Sequence, residues 1–240
     1  MPRFFTDVPC GDYAELSGED ARHVSFSLRM RTGEQLVLCD GRGTDFLCRI
    51  ESFEEGRVRL RILKSCPSSA EPKTEITLFL ALSKGDKLDL VIQKAVELGA
   101  CAIVPFLSAR CVSRPTPDAF EKKRARYRRI AYEAAKQCGR GRIPEVHPLQ
   151  SFLQLRGQIA DFDRPLFFYE RAEQPLRSIP LENAHTIALI VGSEGGFDPE
   201  EAAALKRAGA LEVSLGPRIL RCETAPIAAL AAVLYAVGEM

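Results

Sequence analysis

The chain has 240 residues, enough for one large domain or two ordinary domains with sizeable cores. Apolar residues make up 46% and charged residues 27%, a globular composition that argues against long disordered segments. No stretch reaches the roughly 18 consecutive apolar residues of a membrane-spanning helix, and the first residues lack the apolar core of a signal peptide. We therefore expect a cytoplasmic protein that does not bind membranes.

Cysteine and histidine are too scattered to indicate a metal site. None of the eight cysteines forms a C-x-x-C pair, and His23, His147 and His185 are far apart in sequence. Structural zinc needs ligands at short, regular spacings. We expect no bound metal and reduced thiols, because Cys39 and Cys48 lie in apolar runs where cysteine behaves as a small hydrophobic side chain.

Positive charge is concentrated in one segment of the chain. The formal net charge is only +1, yet residues 108–150 hold 11 basic and 4 acidic side chains, a local charge of +7. Such a segment favours a polyanion such as RNA. A helix with a solvated basic face would have the same composition, and the sequence leaves both interpretations open.

The first 70 residues have the pattern of a small β domain. Short apolar or alternating runs, separated by glycine-containing turns, predict strands over 35–39, 45–50 and 57–63. Residues 65–72 are polar, contain two prolines and lack periodicity, which predicts a linker. We place a domain boundary near residue 70.

Beyond this boundary, strands and helices alternate, which predicts an α/β fold with a mainly parallel sheet. Strands are predicted over 76–82, 101–106, 166–169, 186–191 and 211–215. Helices are predicted over 86–98, 118–138 and 199–208, and after Ala225.

The most informative segment is a glycine turn between the strand at 186–191 and the helix at 199–208. Gly192, Gly195 and Gly196 can adopt positive φ and let bare backbone approach a ligand. A turn of this kind, leading into a helix, usually binds phosphate at the helix N-terminus. It can also be a plain connection, and alone it does not decide between the two.

Acidic residues argue against phosphate at this turn. Asp198 is placed as an N-cap and Glu201 completes a capping box, so the free N–H groups of the helix start are already occupied. Glu194 adds negative charge within the turn. The segment therefore suits a neutral or cationic ligand.

Three chemically marked segments follow predicted strands, at 169–171, 192–197 and 215–225. In open α/β sheets, ligands bind at the carboxyl ends of the strands. The coincidence of three marked ends predicts one ligand site built from all three.

These motifs resemble those of the 16S rRNA (uracil-N3) methyltransferases, the RsmE type of the SPOUT superfamily. The matching residues, which span nearly the whole chain, are 3–5, His23, 28–29, Gly33, 94–99, 133–140, 143–144, 192–197 and 215–225. Two positions depart from the family pattern. Ser193 stands where proline is usual, and Cys222 where threonine is usual.

The resemblance implies an α/β SPOUT-type methyltransferase domain over 71–240, with a mainly parallel sheet and a deep C-terminal trefoil knot. It implies a small PUA-like or OB-like β-barrel over 1–70 that helps to bind RNA. It also implies a homodimer formed through the knot region.

The implied cofactor is S-adenosyl-L-methionine, a cation that suits the acidic glycine turn. Three knot loops are expected to hold it. The residues expected to bind it are Tyr169, Glu170, Val191, Gly192, Ser193, Gly195, Gly196, Leu215, Gly216, Ile219, Leu220, Arg221, Thr224 and Ala225.

The implied reaction methylates N3 of a specific uridine in the decoding region of 16S rRNA, within the small ribosomal subunit. N3 of uracil is weakly acidic, so transfer needs a base or a stabilised anion. Arg140 and Arg221 are candidates for stabilising the anion, and Glu194 and Glu223 for accepting the proton. RNA contacts are expected at Arg3, Arg29, Lys84, Arg110, Arg124, Arg128, Arg140 and Arg142.

Other functions stay open from the sequence. A SPOUT methyltransferase with another RNA target, such as a ribose 2′-hydroxyl, would share these motifs. A non-catalytic rRNA-binding or assembly factor could retain the same pocket. A nucleotide-binding oxidoreductase is disfavoured by the acidic turn.

Overall fold

The computed structural model describes residues 1–6, 9 and 11–240. Cys10, one of the eight cysteines, lies outside the described residues. The described chain forms two compact units. The first comprises Met1–Glu71 and Ala135–Ile143, and the second comprises Pro72–Ala134 and Pro144–Met240.

The first unit is built on a five-stranded sheet. Its strands are β1 (Arg3–Phe5), β2 (Tyr13–Ser17), β3 (Gln35–Cys39), β4 (Thr44–Glu54) and β5 (Arg57–Pro67). They lie in the order β1-β3-β4-β5-β2, with β1 parallel to β3 and the other neighbours antiparallel. Helix α1 (Gly18–Arg22) continues into a π-helical turn over His23–Ser27. Apolar residues such as Val24, Leu36 and Leu60 form the core of this unit.

The predicted linker over 65–72 is partly wrong. β5 continues to Pro67, which pairs with Thr44 of β4. Lys64, Ser65 and Pro67 are exposed, so this end of the hairpin needs no apolar alternation. The strand therefore left no periodic signal in the sequence.

The second unit contains a parallel sheet. Its strands are β6 (Glu75–Ala81), β7 (Ala102–Leu107), β8 (Glu145–Val146), β9 (Gln150–Ser151), β10 (Arg164–Phe168), β11 (Thr186–Val191) and β12 (Leu211–Val213). The order is β12-β10-β11-β6-β7-β8, with β9 also pairing with β7. Every pairing is parallel. The central strands are apolar throughout, as expected for a sheet that is covered on both faces.

Helices connect these strands. They are α2 (Lys87–Leu98), α3 (Pro117–Cys138), α4 (Phe152–Gln158), α5 (Pro199–Arg207) and α6 (Thr224–Ala236). The predicted helices are confirmed to within a residue or two at most ends. α2 ends at Gly99, whose φ of 115° only glycine adopts readily, and the helix packs against α6.

Helix α3 contributes to both units. Its residues up to Ala134 belong to the second unit, whereas the segment Ala135–Ile143, which holds its last turn, groups with the first. The sequence predicted the helix, but a division at residue 70 assigned this segment to the second domain. Apolar periodicity reports which face of a helix is buried but not which unit buries it.

Candidate functional site

The carboxyl ends of three strands lie side by side in the second unit. Phe168, the last residue of β10, pairs with Val191 of β11 on one side and with Val213 of β12 on the other. The three segments that follow these strands are the first loop (169–171), the glycine turn (192–197) and the third loop (215–225). Strand register therefore brings together the segments that the sequence singled out.

The glycine turn is compact because its glycines approach other atoms closely. Gly196 has a φ of 66° and donates its N–H to the carbonyl of Ser193 at 2.9 Å. A Cβ on Gly192 would lie 3.1 Å from the carbonyl carbon of Gly196. Only Gly196 of the three glycines uses positive φ, whereas Gly192 is needed for close approach. Phe197 is buried against Phe106 and Phe167 and belongs to the core.

The start of α5 is capped as the sequence predicted. The Asp198 side chain accepts from the Glu200 N–H at 3.0 Å, and Glu201 accepts from the Asp198 N–H at 3.1 Å. Glu201 also accepts from the N–H of Ala109 at 2.7 Å. These carboxylates occupy donors that a phosphate would need, so the site does not suit an anion.

Glu170 of the first loop lies against the glycine turn. Its Oε2 atom is 2.9 Å from the place where a Cβ on Gly196 would stand. The residue is exposed. A carboxylate therefore faces the bare backbone of the turn, an arrangement that favours a cationic or hydrogen-bond-donating ligand.

Most of the third loop is open to solvent. Arg218 and Arg221 are exposed, and Ile219 is 86% exposed. The carbonyl of Arg221 accepts from the N–H groups of Thr224 and Ala225, both at 2.9 Å, which starts α6. The backbone of Arg221 is thereby fixed while its guanidinium group faces solvent.

Two carboxylates of the site are held in their charged form. Partial burial opposes ionisation of Glu194, but N–H groups of the backbone and the Lys87 ammonium group donate to it and lower its pKa. The backbone N–H of Glu223 and the Cys222 thiol, whose Sγ is 3.2 Å from Oε2, lower the pKa of Glu223. A carboxylate of low pKa is a weak base.

Two family models match the chain. An RNA methyltransferase domain matches residues 70–234, and an RNA methyltransferase PUA domain matches residues 16–63. The chain belongs to the ribosomal RNA small subunit methyltransferase E family. The expected fold class, a PUA-like unit followed by a parallel α/β unit of the knotted SPOUT type, is confirmed.

Relatives in this family cover nearly the whole chain. The ribosomal RNA small subunit methyltransferase E of Bacillus subtilis is 32% identical over 98% of this chain and 96% of its own length. That of Mycobacterium bovis is 37% identical over 96% of this chain and 90% of its own length. The crystal structure of the Neisseria gonorrhoeae family member bound to S-adenosyl methionine has a TM-score of 0.88 and 33% identity, covering 99% and 98% of the two chains.

Arg140 forms a buried ion pair within the first unit. Its side chain is 3% exposed, and its Nη2 atom lies 2.7 Å from Oε2 of Glu71. Glu71 also accepts from the N–H groups of Gly141 and Arg142, both at 2.9 Å. These bonds anchor the 135–143 segment within the first unit, and the catalytic and RNA-binding roles expected of Arg140 stay predictions.

Two other expected RNA contacts are paired within the chain. Arg3 forms a bidentate pair with Asp45 at 2.6 and 2.7 Å. Arg124 donates to the carbonyl of Val146 at 2.8 Å and pairs with Glu121 and Glu145. Their side chains are each 16% exposed. The RNA contacts expected of Arg3 and Arg124 stay predictions.

Arg110 contacts the glycine turn and the start of α5. Its Nη1 atom donates to the carbonyl of Gly195 at 3.0 Å, and its Nη2 atom lies 3.7 Å from Asp198. A Cβ on Gly195 would lie 2.9 Å from Cβ of Arg110, which explains glycine at 195. Arg110 therefore supports the turn, and its expected RNA contact stays a prediction.

The remaining expected RNA contacts are exposed. Arg29, Lys84, Arg128 and Arg142 all face solvent. Arg29 also has a φ of 52°, an uncommon conformation for a residue other than glycine.

Two residues of the site were not predicted from the sequence. Lys87 contacts Glu194, Cys222 and Glu223, and Ala109 donates its N–H to Glu201. Lys87 follows β6, whose carboxyl end neighbours that of β11. The signal that could have revealed it is its position at a fourth strand end.

The described part of the chain holds no group of three or more His, Cys, Asp or Glu side chains arranged to bind a metal ion. Its seven described cysteines are free thiols. Within the same residues, no helix has the length and apolar character needed to cross a membrane.

Proposed function

We propose that the chain is an S-adenosylmethionine-dependent methyltransferase that modifies N3 of a specific unpaired uridine in the decoding region of 16S rRNA. The observation that carries this proposal is the register of β10, β11 and β12. It places the first loop, the glycine turn and the third loop side by side at the carboxyl ends of these strands. Membership of the family and the cofactor-bound relative from Neisseria gonorrhoeae support the same conclusion.

The residues around the three strand ends fit the cofactor. The missing Cβ of Gly196 lets the Glu170 carboxylate lie against the backbone of the glycine turn. Glu194 and Glu223, held as anions, give the site a negative charge that suits a cationic ligand. Bound S-adenosylmethionine supplies an electrophilic methyl group on a positively charged sulfur.

The cofactor contacts expected on the three loops belong to this proposal. They are Tyr169, Glu170, Val191, Gly192, Ser193, Gly195, Gly196, Leu215, Gly216, Ile219, Leu220, Arg221, Thr224 and Ala225.

Arg221 is the best candidate for stabilising the uracil. Its guanidinium group is exposed while its backbone is fixed at the start of α6. A guanidinium group beside O2 or O4 stabilises the charge that develops as N3 loses its proton. Glu194 and Glu223 are better suited to accept hydrogen bonds than to remove that proton, because their pKa values are lowered. N3 lies on the pairing edge, so the base must be unpaired or flipped out.

The exposed basic face of α3 is proposed to contact the rRNA backbone. Lys122, Lys123, Arg128 and Arg129 all face solvent on this helix. The loop that leads into α3 holds Ala109 and Arg110, both bonded to the segment 195–201. A polyanion bound along α3 would thus lie on a helix whose preceding loop is hydrogen-bonded to the segment 195–201.

A homodimer is proposed as the working form. Tyr235 on α6 is 76% exposed, and Ile219 on the third loop is 86% exposed. Large apolar side chains at such exposure are typical of surfaces that a partner covers. The cytoplasmic location expected from the sequence stays a prediction.

In vitro methylation tests the reaction. Small subunits and naked 16S rRNA from cells that lack this activity are incubated with labelled S-adenosylmethionine, and the nucleosides are separated by mass spectrometry. We expect 3-methyluridine. A 2′-O-methylated nucleoside would contradict the proposal and indicate a methyltransferase that acts on a ribose 2′-hydroxyl. Cofactor binding without methyl transfer to either RNA would indicate a non-catalytic factor.

Variants of the third loop test the assignment of Arg221. We expect Arg221→Ala to lower kcat about 100-fold, as for loss of one group that stabilises a developing anion. Arg218→Ala is the matched control because Arg218 is an exposed arginine of the same loop. Equal effects of the two substitutions would contradict a specific role for Arg221.

A further inference from the structure

Lys87 contacts two of the three segments of the candidate site. Its Nζ atom lies 3.2 Å from Oε1 of Glu194 in the glycine turn. It also lies 3.6 Å from Oε2 of Glu223 and 3.5 Å from Sγ of Cys222, both in the third loop. One ammonium group therefore joins two loops that are separated in sequence.

The segment before α2 strengthens this connection. The backbone N–H of Lys84 donates to the same Oε1 of Glu194 at 3.0 Å. Gly85 has a φ of 67°, which lets the chain turn between Lys84 and Lys87. Because β6 pairs with β11 in register up to Leu80 and Val191, this fourth strand end is fixed beside the glycine turn.

These contacts are too exposed to stabilise the fold strongly. The side chains of Lys87, Glu194 and Glu223 are 36%, 29% and 20% exposed. Ion pairs of this kind contribute little to overall stability. They can restrict the local opening of the two loops, because local opening costs far less than global unfolding.

We propose that Lys87 is a positioning residue that holds the glycine turn and the third loop together around the bound cofactor. The inference deepens the proposed function, on which it rests. The contacts with Glu194 raise the pKa of Lys87, and the pKa values of both carboxyl groups are lowered, so all three groups are charged when they meet. Their sum is one negative charge, which keeps the site suited to a cation.

Hydrogen exchange of the ligand-free protein tests the connection without cofactor or RNA. In Lys87→Met, we expect amides in both 192–197 and 218–222 to exchange about fivefold faster, the effect of losing two partly exposed ion pairs. Lys87→Arg should restore most of the protection. Lys94→Met is the matched control, because Lys94 lies on the same helix and pairs with Glu97. In this variant, the amides of 192–197 and 218–222 should exchange as in the wild type.

Glu223→Gln removes one of the two connections. It should speed exchange at 218–222 and leave 192–197 unchanged, because Glu194 keeps both Lys84 and Lys87. Calorimetry then measures the consequence for binding: we expect the Kd for S-adenosylmethionine to rise about fivefold in Lys87→Met and to recover in Lys87→Arg.

Unchanged exchange in either loop of Lys87→Met would overturn the inference. A uniform increase across the whole chain, or the same increase in Lys94→Met, would also overturn it by showing a general loss of stability. Failure of the wild type to methylate RNA would contradict the proposed function and leave the exchange result standing, so the two failures are distinguishable.

Discussion

The carboxylate of Glu170 rests against the α-carbon of Gly196, in the space that any other residue at 196 would fill. Two loops from neighbouring strands thus meet at a point where one of them has no side chain. The closest atom is Oε2, 2.9 Å from the ideal Cβ position. Glycine at 196 is required both by this contact and by a φ of 66°.

Comparing Gly196→Ala with Gly209→Ala separates these two requirements. Its positive φ should cost about 1–2 kcal/mol of unfolding free energy, and the displaced Glu170 carboxylate should weaken cofactor binding about tenfold, close to the loss of one charged hydrogen bond. Gly209→Ala is the matched control, because Gly209 has a φ of 99° with no atom near its Cβ position. It should lose similar stability and bind normally. Equal binding by both variants, measured by calorimetry, would contradict a role for Glu170 in the site.

Glu71 is expected to determine the acid stability of the first unit. Burial opposes ionisation of Glu71, but the hydrogen bond and charge of Arg140 and the N–H groups of Arg142 and Gly141 together outweigh it and lower its pKa. A carboxyl group with a lowered pKa contributes stability above its unfolded pKa, and the contribution is lost as pH falls through the folded value. Urea unfolding should therefore show stability falling below about pH 4.3, with a weaker dependence in Glu71→Gln.

At neutral pH, Glu71→Gln should lose about 3 kcal/mol, because Arg140 keeps a buried charge without its partner. Glu15→Gln is the control. Glu15 pairs with Arg57 at 3.0 Å, but both side chains are well exposed, so its loss should cost less than about 1 kcal/mol. A loss for Glu71→Gln as small as that of Glu15→Gln would refute the structural role of Arg140.

Ser193→Ala should stabilise the protein. Ser193 is 6% exposed, and its Oγ atom finds no hydrogen-bond partner among the described residues. Removing a buried, unpaired hydroxyl should raise the free energy of unfolding by about 1 kcal/mol. Ser214→Ala should do the opposite, because its Oγ accepts from the N–H of Gly216 at 3.2 Å. Denaturant unfolding distinguishes them, and destabilisation by Ser193→Ala would show that the hydroxyl has a partner.

Cys222 should be replaceable by threonine and unreactive as a thiol. Burial raises its pKa to about 11, so little thiolate forms at neutral pH and iodoacetamide should modify it slowly. Its thiol acts as a donor to Glu223 at 3.2 Å, which a threonine hydroxyl can replace. Cys222→Thr should keep methylation within about twofold, whereas Cys222→Val should lower it by removing a hydrogen bond to a charged group. Equal activity of these variants would show that the donor is dispensable.

Substitutions of Arg128 and Arg124 should affect different properties of the protein, although both residues lie on α3. Arg128 is exposed, so Arg128→Ala should weaken RNA binding and reduce the slope of affinity against salt by about 1. Arg124 is occupied by Val146, Glu121 and Glu145, so Arg124→Ala should lower thermal stability instead. Filter binding over a salt series and thermal melts measure the two effects. An unchanged salt slope in Arg128→Ala would remove this face of α3 from the RNA contacts.

Local patterns predicted most elements of the second unit because each has a buried face or a cap that leaves a signal in sequence. The strand 186–191 and the Asp198 cap are confirmed to the residue. The three loops were predictable because ligands bind at the carboxyl ends of the strands in an open parallel sheet.

The sequence did not predict which charged side chains form ion pairs and which face solvent. Arg140 and Arg128 both read as members of one basic segment, yet one is paired with Glu71, 69 positions away in sequence, and the other faces solvent. Composition measures charge but not its partners, which depend on contacts between distant positions. Lys87 was missed for the same reason.

The passage of α3 from one unit into the other limits how this protein can be divided. A fragment beginning at Pro72 would retain Arg140 but lose Glu71 and the rest of the first unit, with which the 135–143 segment groups. A fragment ending at Glu71 would lack the strand-like bridge that Arg142 forms with Arg42. The two units are therefore separate as packed bodies but cannot be separated by one cut in the sequence. Any chimaera that exchanges the first unit must transfer residues 135–143 together with 1–71.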